Sequence, residues 1–230
     1  MRKHKYLILI VVLIGVMGVE ASARRAILGP LVSDLLIALI ALAVFLAVFK
    51  GRRERTVAFV AAAAALVFSL SRHLPIPAEY ETARAVAHRI LMALFLGFAV
   101  ATILRNIFAE KAITGDEVLG AVCGYLLAAA MWANLYAATE ILVPDSFSVS
   151  NDLKELATTH GRTALFNYFS VVTLTTMGYG DITPVRAPAT ALAMLEAIFG
   201  QFYIAVVVAQ LVGLRLAQSF TSTRPPSRQA

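Results

Sequence analysis

The stretch Thr175-Thr176-Met177-Gly178-Tyr179-Gly180-Asp181 decides how the rest of this chain is read. Glycine stands at alternate positions, 178 and 180, directly after a 13-residue apolar run, Thr163–Thr175. Glycine enters the left-handed backbone region that other residues resist. A ribbon of alternating hand turns successive carbonyls toward one side, and these glycines permit it. The apolar run is too short to cross a hydrocarbon core about 30 Å thick, which takes around 20 helical residues. Long apolar stretches flank the whole, Val118–Val143 before it and Ala189–Leu214 after it. Gly178, Gly180 and Pro184 end any helix between them. A short helix that enters without crossing, followed by a ribbon and set between two spans, reads as a re-entrant loop. A plain Gly-Tyr-Gly turn accounts for none of these flanks.

Outward from this loop the chain stays apolar. Of its 230 residues, 60% are hydrophobic and 15% charged, against about 45–50% and 25% in soluble domains. That balance excludes a disordered chain and opposes a soluble globule. Four more apolar segments precede the loop: Tyr6–Val19, Leu31–Phe49, the alanine-rich Val57–Ser71, and Val86–Phe108 with its uncharged centre Ile90–Leu104. The sequence therefore predicts an all-α membrane protein of six transmembrane helices, with the re-entrant helix between the fifth and sixth. Residues 1–112 form a four-helix membrane domain and 113–214 a second one. Residues 215–230 read as a short disordered tail, with Pro225-Pro226 and small polar residues. Asp145–Arg162 reads as an exposed loop with a short helix at Asp152–Thr158.

The net charge of +6 does not call for nucleic acid, because the basic residues stand in clusters between apolar runs. Arg2, Lys3 and Lys5 precede the first segment; Lys50, Arg52, Arg53 and Arg55 follow the second; Arg215, Arg224 and Arg228 follow the sixth. With six crossings these share one side, which the positive-inside rule makes cytoplasmic along with both termini. Arg24 and Arg25 fall outside, against the rule. The first segment also fits a cleavable signal peptide ending at Ala21-Ser22-Ala23, and cleavage leaves the other five oriented as before. The single cysteine, Cys123, excludes a disulfide framework. No paired catalytic carboxylates, nucleophile elbow, His-Glu-x-x-His or P-loop is present, so an enzyme is not expected, nor a cofactor.

The stretch 175–181 is very close to the Thr-Val-Gly-Tyr-Gly filter of potassium channels, in which backbone carbonyls replace the hydration shell of the ion. The segment Val118–Leu214 resembles the pore domain of tetrameric potassium channels, and the chain is similar to bacterial six-transmembrane members with short tails. The first 112 residues share only the helix count. The resemblance implies a passive, potassium-selective homotetramer in the bacterial inner membrane, in contact with the lipid bilayer. A nonselective cation channel and a non-conducting scaffold subunit are the alternatives. It implies that K+ meets the carbonyls of Thr176, Met177, Gly178 and Tyr179, with Gly180 at the outer rim and the Thr176 hydroxyl at the inner end. The Tyr179 ring would brace the ribbon against the pore helix. Met177 replaces the usual valine, its side chain directed away from the ions. Thr175 and Asp181 support the filter, and Tyr168 and Phe169 stand where the family has a cuff of aromatics. Some relatives pair the acid at 181 with a glutamate on the pore helix; Val172 stands there, so that pair is absent.

Gly200 lies 20 residues after Gly180, where many inner helices of the family carry a hinge glycine; close helix packing is the other reading. In that register Gln201, Ile204 and Val208 face the central cavity. In six-helix relatives a glutamate placed as Glu140 is ties the outer helix to backbone near the filter, so the resemblance implies that role, with solvent exposure the alternative; Glu196 can approach the pore helix from behind. Gly120-x-x-x-Gly124 permits close helix contact, and Asn134 and Gln210 suit interhelical hydrogen bonds. Arg84 and Arg89 lie at the outer end of segment four and Arg105 at the inner end, with none between, which predicts weak voltage sensing. Asp34 can pair with Arg84 or Arg89, or face headgroups.

Overall fold

A computed structural model describes residues 5–22, 42–45, 48–49, 51–71, 77–109, 114–153 and 162–222. Most of segment two, Asp34, Arg24, Arg25, Lys50, Arg224, Arg228 and most of the short helix expected at Asp152–Thr158 lie outside these residues.

Among the described residues the α-helices with defined bounds are α1 Lys5–Ser22, α2 Arg52–Ser71, α3 Ala78–Ala109, α4 Gly115–Leu142, α5 Arg162–Leu174 and α6 Ala187–Ser222. Among the described residues three are long and apolar enough to cross a membrane, over Glu79–Ala109, Gly115–Leu142 and Ala187–Ser219. The protein is thus an all-α membrane protein. α4 starts on a capping box. The Thr114 side chain accepts from the Asp116 amide at 3.3 Å, and Glu117 Oε2 accepts from the Thr114 amide at 2.8 Å. α6 has Pro188 in its first turn, where the missing N–H costs nothing. Its 36 residues span about 54 Å at 1.5 Å per residue. The helix runs through Ser222, past Leu214, so the first part of the expected disordered tail is helical.

α3 and α4 pack side by side and antiparallel. A Cβ at Gly97 would lie 3.1 Å from Met131 Sδ, and one at Gly124 would lie 3.3 Å from Ile103 Cγ2. The small residues of α4, Ala128, Ala129, Ala133, Ala137 and Ala138, are buried and let its neighbours approach. Gly120 and Gly124 serve two different partners. The Tyr6 ring of α1 covers the first at 3.0 Å from an added Cβ, and Tyr203 of α6 covers the second. Tyr203 also donates to the Ala121 carbonyl at 2.7 Å.

Two apolar cores result. One gathers Tyr6, Leu9, Phe49, Phe95, Ile103 and Leu127 where α1, α3 and α4 meet. The other surrounds α5, with Trp132, Tyr136, Leu165, Phe166, Phe169 and Ile182. A two-stranded antiparallel ribbon, β1 Phe147–Val149 and β2 Ile182–Pro184, pairs Ser148 with Thr183. Strand thus occupies part of what the sequence presented as a plain exposed loop, and Ser146 beside it is fully buried.

Candidate functional site

α5 is a 13-residue helix whose buried side, Leu165, Phe166, Phe169, Ser170, Val172 and Leu174, faces α4 and α6. Tyr136, Phe147, Phe166 and Phe169 form a ring cluster, with Tyr136–Phe169 at 5.0 Å and Phe147–Phe166 at 4.9 Å, both edge-on.

The helix closes in a Schellman turn. The Met177 amide donates to the Val172 carbonyl and the Thr176 amide to the Thr173 carbonyl, both at 3.0 Å. That turn places Thr176 at φ +58°, where glycine is usual. A β-branched residue there is a true outlier, worth roughly 1–2 kcal/mol of strain. Gly178 at φ +54° and Gly180 at φ +77° continue the alternation. Positive φ therefore falls on every second residue of Thr176–Gly180. Space is not the reason for glycine at either place, since a Cβ there would meet nothing within 4 Å. The conformation alone demands it. The Thr176 strain is what the sequence did not disclose, because threonine carries no such signal.

Residues Thr175 to Gly180 are all exposed. The Tyr179 ring does not lie against the chain's own α5. It is 61% exposed, with its hydroxyl 3.7 Å from Met177 Sδ, so the expected brace is not made within one chain. Asp181 finds a partner other than residue 172. Its Oδ2 accepts from the Tyr168 hydroxyl at 2.5 Å and its Oδ1 from the Ile182 amide at 3.0 Å. Its carbonyl accepts from the Ser150 amide at 2.8 Å. Phe169 is buried in the ring cluster rather than beside Tyr168 at the ribbon.

Glu140 holds the corner after α4, accepting from the amides of Asp145 at 3.2 Å and Ser146 at 3.0 Å. The Ser146 carbonyl in turn accepts from the Val185 amide at 2.8 Å, just past β2. Glu140 thus reaches the ribbon's exit strand through one intervening residue. Gly200 faces the end of α5. A Cβ there would sit 2.8 Å from the Leu174 carbonyl oxygen and 3.1 Å from its Cα. α6 is continuous through this point, so the close-packing reading has direct geometry behind it. Gln201, Ile204 and Val208 are exposed on α6.

Two side chains, Arg89 and Glu196, bind the loop to its frame. Arg89 of α3 donates to Asn134 Oδ1 of α4 at 3.3 Å and to Thr163 Oγ1 of α5 at 2.9 Å. Glu196 of α6, fully buried, meets Tyr136 of α4 and Ser170 of α5. Ser170, Tyr136 and Thr163 carry no signal of their own in the sequence, because only the tertiary neighbours give these polar groups work.

Residues 160–214 match the family model described as "Ion channel". No curated protein matches the chain, and no solved structure does. The matched stretch carries α5, the alternating ribbon and most of α6.

Proposed function

We propose that the chain is one subunit of a passive, potassium-selective channel, a homotetramer of six-span subunits with α5 as a re-entrant pore helix. The observation that carries this is the alternation of positive φ at Thr176, Gly178 and Gly180. Strain held at a defined place by its surroundings marks a functional segment. On this reading the alternation turns the carbonyls of Thr176, Met177, Gly178 and Tyr179 toward one axis, where they would replace water around K+. Threonine at the strained turn adds a hydroxyl that glycine would lack.

A single strand offers one carbonyl per level, so an eightfold oxygen cage requires four chains around an axis. The exposure pattern supports that surface being covered in an assembly. Only 17% of the α6 window is buried within the chain, against 50% for α3 and for α4. The basic cluster Arg52, Arg53 and Arg55 starts α2 at the end where Glu54 pairs with Arg105. Tyr6 and Gly120 meet near the starts of α1 and α4. These contacts suit a cytoplasmic side shared by the N-terminus and the helix starts, in a bacterial inner membrane.

Reconstitution into liposomes under a potassium gradient tests the reading. A reversal potential at the potassium equilibrium value is the expected result. A value set by total monovalent cations would make the channel nonselective, and no flux would leave a scaffold subunit.

A further inference from the structure

We propose that Glu196 acts as a neutral carboxylic acid that positions the pore helix, and through it the conducting ribbon; this rests on the channel reading above. Glu196 lies on α6 one helical turn before Gly200, with no exposed surface. One carboxyl oxygen meets the Tyr136 hydroxyl of α4 and the other the Ser170 hydroxyl of α5. A single side chain therefore joins the three helices behind the ribbon.

Hydrogen counting gives its protonation state. Ser170 Oγ stands 2.9 Å from the Ala129 carbonyl as well as against Glu196 Oε1. A hydroxyl has one hydrogen, and both of these oxygens accept when Glu196 is ionised. With the proton on Glu196 each contact has a hydrogen. The acid donates to Ser170, Ser170 donates to Ala129, and Tyr136 donates to the second carboxyl oxygen. Charge points the same way. Tyr136 and Tyr125 from α4 and Ser170 from α5 face the carboxyl, and none is a cation. Among the described residues no cation is paired with Glu196. A buried carboxylate without a counter-charge is expensive in a membrane, while a neutral acid with its hydrogen bonds closed is not.

Position makes this consequential for conduction. Ser170 sits one turn before Leu174, and the Leu174 backbone is what Gly200 touches. The acid and the glycine, one turn apart on α6, thus fix two successive turns of α5 at the point where it hands over to Thr176. Loosening the first contact frees the helix end to shift, and the strained turn with it.

Full-length channels carrying Glu196→Gln, Ser170→Ala or Tyr136→Phe would be reconstituted at matched tetramer content and their single-channel conducting episodes timed. Glutamine donates and accepts as the neutral acid does, so E196Q should match the native channel. Ser170→Ala and Tyr136→Phe, which keep shape and lose a hydrogen bond, should shorten conducting episodes about fivefold with conductance per opening unchanged. E196Q as defective as the other two would overturn the neutral-acid assignment. Native-length episodes in all three would overturn the positioning role. Failure of all three to assemble would make the node purely structural and would also overturn it. A native chain that passes no potassium refutes the channel reading instead, a result distinguishable from every one of these.

Discussion

A single threonine at φ +58° shows how far one residue can be asked to bend. Thr176 accepts a conformation that glycine would take freely, and Gly178 two places on takes the same hand with no neighbour within 4 Å of its missing Cβ. Gly178→Ala therefore meets no clash within its own chain, and its cost there is the backbone strain of roughly 1–2 kcal/mol. The expected outcome is loss of potassium flux from vesicles that hold normal amounts of assembled protein; normal flux and selectivity would refute the ribbon. Gly200 is the opposite case, since its Cα approaches backbone that cannot yield. Gly200→Ala should destabilise the fold by about 1–3 kcal/mol, seen as lower assembly yield and a lower melting temperature. Intact assembly with reduced open probability alone would restore the hinge. The glycine spacing was legible in the sequence because glycine is chosen for its backbone. The approach of Glu196 to the pore helix was legible too, but its particular partners Ser170 and Tyr136 were not, because they depend on which helix faces become neighbours.

Between elements, the tie that matters is Arg89, which links α3 to α4 and to the first turn of α5 in one guanidinium. Hydrogen bonds to a charged group are worth about 1.5–3 kcal/mol. Arg89→Gln should lower thermal stability by that order and leave ion selectivity untouched. A change in selectivity with unchanged melting would show that the tie shapes the ribbon rather than the frame. The long elements could be read in advance: apolar runs of span length gave α3, α4 and α6, and the 13-residue run gave α5. The β1–β2 ribbon could not, because three-residue strands leave too little alternation to register. The helical extension to Ser222 was missed because polar residues such as Gln218 and Ser219 signal surface and helix equally well.

For the whole molecule the decisive fact is where charge is missing. Ile90–Leu104 carries none. Arg89 is held by α4 and α5, Arg84 lies 3.9 Å from Glu81, and Arg105 is paired with Glu54. A charge crossing the full membrane field yields about 2.3 kcal/mol per 100 mV, and steep gating takes about 3–4 such charges per subunit. Conductance should thus vary shallowly with voltage. Neutralising Arg84 and Arg89 together should reduce expression more than it alters that slope. A steep activation curve in purified channels, flattened by the double substitution, would make the first helices a working sensor.

Only four residues separate the end of α3 at Ala109 from the cap of α4 at Thr114, a reach of about 18 Å even when fully drawn out. With the two helices packed along each other in one chain, α3 has no means of leaving its own α4 for that of a neighbour. In the proposed tetramer, α3 therefore stays with the α4 of its own chain. In a mixed assembly of sound and faulty chains, a sound copy has no second set of helices to lend. In the proposed tetramer, a lesion in α3 is therefore expected to act first on the α4 of its own chain.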